Sequence, residues 1–479
     1  MPRYLRSLLL PGLLGLGPAA PAWTQADPTI VFSHATVIDV EQGSPLAGMT
    51  VVVANGRITA VGTDGSVTPP AGARVVDATG KFLIPGLWDM HIHAAFPGFD
   101  ALFLPLLVAN GVTGVREMYS TLAWVDSARA RVRRGDFPGP RMVASGHLLD
   151  GVPPIWPASV SVSTAEQARH AVDSLAAGGA DFIKVYSRLS PEAFFAAARE
   201  AKLKGLPFAG HVPSLVAAAQ ASDSGQRSIE HLTNIIAACS TEEQAYLVQL
   251  AAAVRSPKGW DSAGKISRGG LDLLASYSPA RCRALAGKLV ANGTWMVPTI
   301  AVLHSIAYLD DSTLALDPRL RYIPTAFKQG WNPRADFRFR MLTPEDWKNR
   351  KASYARQLEI VTLLHAEGVR FLAGTDLANP FIYPGFSLHD ELASLVAAGF
   401  TPAEALRAAT LDPARYLGAA DSLGSIAVGK RADLVLLGGN PLEDIHNTTR
   451  IESVVANGRF YDAAAIAKML ADGAARAAR

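Results

Sequence analysis

The chain has 479 residues, of which 49% are hydrophobic and 18% charged, a composition that can bury a large core and excludes a disordered polypeptide. The formal charge of +3 offers no basis for binding nucleic acid or an anionic membrane surface. This length accommodates one large enzyme domain and a smaller one.

Arg3 and Arg6 precede an apolar run from Leu8 to Leu16, and small residues follow at Ala20-Pro21-Ala22 and Thr24-Gln25-Ala26. This three-part layout predicts a signal peptide over residues 1–26, cut after Ala22 or Ala26, and a periplasmic or secreted mature protein. The apolar run is too short to span a bilayer, so no membrane span is expected after its removal.

Residues 27–81 read as β structure. Short β-branched runs such as Thr36-Val37-Ile38 and Met49-Thr50-Val51-Val52-Val53 are separated by turn signals, including Ala54-Asn55-Gly56-Arg57. A matching pattern returns near the C-terminus, where Val454-Val455 leads into Ala456-Asn457-Gly458-Arg459. The two patches, 27–81 and 424–479, are expected to form one small β-sandwich split by a central domain over 82–423.

That central stretch alternates short apolar runs with helical patterns. Candidate strands are Phe82 to Leu87, Val112 to Glu117, Arg141 to Ser145, Phe182 to Tyr186, Pro207 to Gly210, Ser228 to Glu230, Trp295 to Pro298 and Arg370 to Ala373. Helical stretches include Thr164 to Ala177, Glu192 to Lys204 and Lys348 to Glu367. Eight strands with intervening helices predict an α/β fold, a (β/α)₈ TIM-like barrel. The alternative, an open doubly wound sheet, lacks a Gly-x-Gly-x-x-Gly after the first strand. Two connections are long, His231 to Gly293 and Ile300 to Ala352. The second carries Tyr308, Tyr322, Phe327, Trp331, Phe337, Phe339 and Trp347, and reads either as a substrate wall or as an outer packing layer. Cys239 and Cys282 match no zinc or redox spacing; a disulfide and two separate thiols both fit.

His91-Ile92-His93 follows the first candidate strand, and alternate residues of a strand share a face. Both imidazoles therefore point toward the barrel mouth, where neutral imidazole can ligate a divalent ion. His211, His231 and Asp376 each end a later candidate strand, and strand C-terminal ends converge in this fold. Lys184 lies within Asp181-Phe182-Ile183-Lys184-Val185-Tyr186, which reads as a buried strand. A buried ammonium beside cations is unfavourable, whereas its neutral amine can take up carbon dioxide as an anionic carbamate. Tyr186, on the same face by parity, reads as a substrate contact or as barrel packing, His147 after the third strand as a pocket residue or a surface-loop histidine, and Arg116 in the second strand as the holder of a substrate carboxylate or as one half of a buried structural ion pair. His389 opens a helix and reads as a capping or surface residue, with a substrate contact as the alternative.

The whole pattern resembles the amidohydrolase superfamily, in its imidazolonepropionase-like and prolidase-like branches. The resemblance rests on Pro85-Gly86-Leu87-Trp88-Asp89-Met90-His91-Ile92-His93, Gly179-Ala180-Asp181-Phe182-Ile183-Lys184, Gly374-Thr375-Asp376 and Gly424-Ser425-Ile426-Ala427-Val428-Gly429-Lys430. It implies two divalent ions, zinc by the histidine-rich ligand set. His91, His93 and Asp376 would hold one and His211 and His231 the other, with carboxylated Lys184 and a hydroxide between them. It implies attack on a C–N bond of a dipeptide or N-acyl amino acid, with Asp376 relaying the proton. An ester or lactone hydrolase using the same site is the alternative, and a catalytically silent binding protein the contrasting class. The expected partner is a small molecule, and a homo-oligomer is compatible with the sequence. No Gly-x-Ser-x-Gly or His-Glu-x-x-His supports a serine hydrolase or a zincin.

Overall fold

The computed structural model describes residues 29–96, 98–269 and 272–479. The signal-peptide expectation over residues 1–26 lies outside them. The chain opens with β1 (Ile30–Asp39), β2 (Ser44–Ala54), β3 (Arg57–Thr63), β4 (Arg74–Asp77) and β5 (Phe82–Pro85). Next come β6 (Leu87–Ile92), β7 (Val112–Glu117), β8 (Arg141–Ala144), β9 (Leu149–Asp150), β10 (Val160–Ser161), β11 (Ile183–Val185), β12 (Phe208–Gly210), β13 (Ser228–Glu230), β14 (Trp295–Val297) and β15 (Arg370–Phe371). The last three strands are β16 (Leu434–Leu437), β17 (Ile451–Ala456) and β18 (Arg459–Tyr461).

Strands from both ends of the chain share one eight-stranded sheet in the order β18-β17-β16-β5-β1-β2-β3, with β4 on β1. Its alternating apolar residues, among them Phe32, Val51, Val53, Ile58, Leu434, Leu436 and Val455, pack into a core separate from the main one. Two hairpins of this sheet turn on Asn-Gly: Asn55 and Gly56 have φ of +50° and +70°, and Asn457 and Gly458 of +52° and +81°. Left-handed φ at both central residues is what a two-residue hairpin matching the strand twist requires, and Asn-Gly supplies it at least strain.

Phe82–Leu87 was expected as the first barrel strand, and here the structure differs. Gly86 divides the run. Phe82–Pro85 joins the terminal sheet, antiparallel to β16 and parallel to β1, while Leu87–Ile92 pairs in parallel with β7. The crossing-over point needs glycine, because a Cβ at Gly86 would lie 2.1 Å from Thr113 Oγ1.

The central strands run parallel in two sheets, β6-β7-β8 and β10-β9-β11-β12-β13-β14-β15. Backbone bonds cross both seams between them. Met90 N donates to Ala373 O (2.9 Å) and Asp376 N to His91 O (2.7 Å) on one side, and Asp181 N to Ala144 O (2.9 Å) on the other. Helices separate most of the strands and start on capping side chains. Thr164, Ser190 and Thr343 each accept a backbone N–H at the heads of Ala165–Ala177, Pro191–Leu203 and Pro344–Ala366.

The first long connection folds into helices whose Tyr246, Leu250 and Ala263 form a satellite core, so it is a packing layer. Within it Cys239 and Cys282 form a disulfide, which resolves the alternative left open above. The second connection lies over the strand ends and walls a cavity. A C-terminal helix, Ala463–Ala477, packs against the helix Asp100–Ala109. Among the described residues no helix is long and apolar enough to cross a membrane.

Candidate metal centre

The structure brings His91, His93, Lys184, His211, His231 and Asp376 together at the C-terminal ends of the parallel strands. His93 Nε2 lies 3.0 Å from Asp376 Oδ1, and His91 Nε2 lies 3.4 Å from the same oxygen. His231 Nε2 lies 3.8 Å from Asp376 Oδ2. Lys184 Nζ stands 3.3 Å from His91 Nε2, and the rings of His211 and His231 are 4.9 Å apart. Among the described residues, His91, His231 and Asp376 place one donor atom each within 4.8 Å of one another.

Three of the imidazoles are oriented by a partner on Nδ1. His91 Nδ1 donates to the Glu230 carboxylate at 2.8 Å. His231 Nδ1 donates to Thr299 Oγ1 at 2.7 Å, because that hydroxyl gives its own proton to Pro298 O. His211 Nδ1 meets Ser187 Oγ at 2.9 Å. Each arrangement leaves Nε2 as the nitrogen facing the other site residues, the usual way proteins fix a ligating tautomer. His211 Nε2, His93 Nδ1 and Asp376 Oδ1 are buried without a hydrogen bond. Unpaired buried polar atoms are costly, and His211 Nε2 and Asp376 Oδ1 fit a site built for cations, whereas His93 Nδ1 lies on the other side of its ring, 3.9 Å from Glu117 Oε1.

Electrostatics agree with that fit. Burial pushes the imidazoles down, His91 and His211 well below the ordinary histidine range and His231 to about 4, so all three are neutral at pH 7 and able to donate lone pairs. Burial also lowers Lys184 to about 8, and among the described residues it forms no ion pair. Burial alone would raise Asp376, but His231, His93 and Lys184 overcome it and hold the carboxyl well below its usual range. The backbone is strained here. His231, Thr299 and Asp376 have φ of +56°, +50° and +60°, a left-handed conformation that side-chain-bearing residues hold only when their surroundings enforce it.

Arg116 is corrected as a substrate contact. It is fully buried, and its guanidinium is consumed by Met90 O (2.7 Å), Ser228 Oγ (3.0 Å), the Tyr416 hydroxyl (2.9 Å) and both Glu230 oxygens (2.9 and 3.0 Å). It therefore compensates the carboxylate that orients His91. His389 is likewise neither a cap nor a surface residue: it is buried between Thr448 Oγ1 (2.9 Å) and Asn110 O (3.1 Å).

Tyr186 and His147 do line the cavity above the cluster, a space of about 720 Å³. The Tyr186 ring packs against that of His211, tilted by 36° with centroids 4.0 Å apart, and its hydroxyl accepts from Trp156 Nε1 at 3.0 Å. The walls are apolar: Phe96, Trp156, Leu303, Ile306, Phe327 and Trp331. Of the seven aromatic residues in the second long connection, only Phe327 and Trp331 face this space. At its mouth Arg338 is held by Asp336 (3.1 and 2.7 Å) and Asn379 (2.8 Å), a pair with no net charge.

Sequence reasoning missed the residues behind the cluster: Glu230, Thr299, Ser187 and Asp89. Asp89 is buried, takes the backbone N–H groups of His91 and Thr375 and the Thr375 hydroxyl (2.6 Å), and is raised to about 7 by that burial. The only available signal was alternation, which puts Asp89 and His91 on one face of β6.

The profile described as Amidohydrolase family matches residues 82–461. Among curated proteins, the chain is 42% identical over 96 residues to a dihydroorotase of Trichlorobacter lovleyi, covering 19% of this chain and 22% of that protein. The chain spans about a fifth of the length of the curated relatives it matches. Its fold is similar to that of bottromycin amidohydrolase, with TM-score 0.69 and 26% identity over 94% of this chain and 90% of that one. It is also similar to that of a Xaa-Pro dipeptidase crystallised with methionine in its active site, with TM-score 0.64 and 20% identity over 91% and 99% of the two chains.

Proposed function

Because the chain belongs to the amidohydrolase family, we propose that it is a metal-dependent hydrolase of a C–N bond in a dipeptide or N-acyl amino acid, acting with two divalent ions. The observation that carries this reading is the convergence of four imidazoles, one carboxylate and one lysine beneath one apolar cavity, with His211 Nε2 and Asp376 Oδ1 unpartnered among the described residues. His91, His93 and Asp376 would hold one ion and His211 and His231 the other; the neutral, nitrogen-rich donor set favours zinc. When bound, such a pair acidifies water and polarises a carbonyl.

The protein's own groups do the rest. Lys184, buried and in no ion pair among the described residues, would react through its neutral amine with the carbon of carbon dioxide and release one proton, giving a carbamate that could help hold the ions. Glu230, Thr299 and Ser187 hold His91, His231 and His211 in the ligating tautomer. Asp376 accepts the nucleophile's proton at Oδ1 and passes it to the leaving nitrogen. Trp331, Phe327 and Ile306 take an apolar or aromatic substrate side chain and exclude water around it. Tyr186 would meet the substrate carbonyl and His147 the rest of the substrate, a reading supported by the position of both on the lining of this cavity.

This reading includes a closed (β/α)₈ barrel, supported by the backbone bonds across both seams, and a terminal sheet folded as a β-sandwich around its own core. It also includes export, supported by the N-terminal pattern of basic, apolar and small residues and by the Cys239–Cys282 disulfide.

The test is a screen of zinc-loaded protein against N-acyl amino acids, Xaa-Pro dipeptides, lactones and aryl esters. Turnover of amides with apolar side chains is expected. Turnover confined to esters or lactones would replace the amide reading with the ester one, and none at all would favour a binding protein.

A further inference from the structure

The Asn-Gly-Arg repeat that the sequence carries twice has no part in the hydrolytic site, yet the fold brings its two copies together. The Asn55-Gly56 and Asn457-Gly458 turns abut so closely that a Cβ on Gly458 would lie 3.1 Å from Gly56 Cα. Their arginines, Arg57 and Arg459, open on one cavity of about 490 Å³, which Arg129, Arg133, Arg141 and Arg431 also line. Among the described residues no acidic side chain lines it, and it shares no lining residue with the cavity over the metal ligands. Arg141 begins β8, so the cavity lies at the opposite end of the parallel strands from the ligand cluster.

Two of the six guanidiniums are compensated from outside the cavity: Arg129 by Asp181 (2.6 Å) and Arg141 by Asp433 (3.1 Å). Among the described residues Arg57, Arg133, Arg431 and Arg459 form no ion pair. Arg57 and Arg459 reach only backbone carbonyls, Gly429 O at 2.7 Å and Arg133 O at 3.1 Å. Arg57 and Arg431 face each other across an antiparallel bridge, and like charges in that position destabilise a sheet. The carbonyl end of the helix Leu122–Arg134 attracts Arg459, which lies across Gly135 where a Cβ would come within 2.4 Å of its Nη1. A helix end supplies about half a negative charge, too little to balance four cations.

We propose that this cleft is a binding site for a small, multiply charged phosphate-bearing anion of di- or triphosphate type. Guanidinium forks match phosphate oxygens in pairs, and several forks converging on one concave space select charge density rather than a single carboxylate. The volume falls in the range of small-molecule sites. Its walls come from the terminal sheet, the helix Leu122–Arg134 and the start of β8, so an occupant ties the terminal segments to the central domain. A polymer such as nucleic acid would call for a basic stripe along the surface, whereas these arginines gather in one pocket between Arg57, Arg133 and Arg459.

The test is calorimetric titration of the full-length, metal-loaded protein with inorganic triphosphate at fixed ionic strength, alongside Arg431→Gln and Arg57→Gln/Arg459→Gln. The metal ligands are the same in all three proteins, so any chelation by the probe contributes equally and cancels in the comparison. Wild type should saturate at one equivalent, and each variant should bind at least about 10-fold more weakly with unchanged hydrolysis and a thermal midpoint no lower than that of wild type. If the double variant loses its fold, the exposed single replacement Arg431→Gln still decides. Identical isotherms in wild type and Arg431→Gln, or no saturable binding by wild type, would overturn the proposal. So would co-sedimentation with mixed phosphatidylglycerol and phosphatidylcholine vesicles in the absence of triphosphate binding, which would give the cleft to a membrane surface instead.

Discussion

Glu230 is the residue whose replacement reports most fully on how this site is held. It is completely buried, accepts from His91 Nδ1 at 2.8 Å, and balances Arg116 through bonds of 2.9 and 3.0 Å. Glu230→Gln keeps the shape and removes the charge. The Arg116 guanidinium, with no solvent access, is then uncompensated, and breaking a buried pair on one side costs about 3–5 kcal/mol. Against a total stability of about 5–15 kcal/mol, that is a shift of roughly 10²–10⁴ in the folded-to-unfolded ratio. The same change leaves the His91 ring without its anionic acceptor, and losing such a partner weakens metal affinity or activity by about 10–100-fold. Two assays separate the effects: denaturant unfolding of the metal-free protein for stability, and zinc titration against a competing chelator for affinity. Arg116→Met/Glu230→Leu should regain most of the stability but not the affinity, because the buried charge is gone while the acceptor is still missing. A stability loss below about 1 kcal/mol in Glu230→Gln would refute the assignment of this pair as the support of the site.

Thr299→Val removes the acceptor of His231 Nδ1 while keeping a β-branched side chain. Zinc affinity should fall by about 10–100-fold, and an unchanged value would free His231 from that constraint. Lys184→Ala should lose most activity and regain part of it with added formate or acetate; full activity without rescue would remove the carbamate. His389, lowered to about 4 chiefly by burial, binds fewer protons folded than unfolded between about pH 4 and 6.5. Its contribution is therefore whole above about pH 6.5 and is lost as pH falls toward about 4, at most roughly 2–4 kcal/mol. The stability–pH profile of His389→Gln should be flatter than that of wild type over this window, and parallel profiles would contradict the assignment.

Five of the six clustered side chains were visible in the sequence because they sit at or near the end of an apolar run, and the fold class gathers such ends; Lys184 stood out instead as a charge inside an apolar strand. What stands behind them was not. Arg116 and Glu230 come from β7 and β13, and no local pattern shows that two inward-facing residues 114 positions apart will pair. Gly86 escaped notice because Phe82–Leu87 is apolar throughout, and only the close approach of Thr113 makes glycine a dividing point. The second long connection announced itself by its aromatic content, but which rings face the cavity depends on packing between distant segments. Phe327 and Trp331 do, whereas Phe337 is 54% exposed. The repeated Asn-Gly-Arg was readable as two hairpin turns; that the turns touch is a property of the assembled sheet alone.

The most direct measurement is the metal content of the protein purified and dialysed with zinc and bicarbonate, beside Lys184→Ala treated the same way. Close to two equivalents per chain are expected in the native protein, with a clear loss of metal in the variant. One tightly held equivalent with full activity, or the same content in both proteins, would contradict a centre of paired ions joined through Lys184.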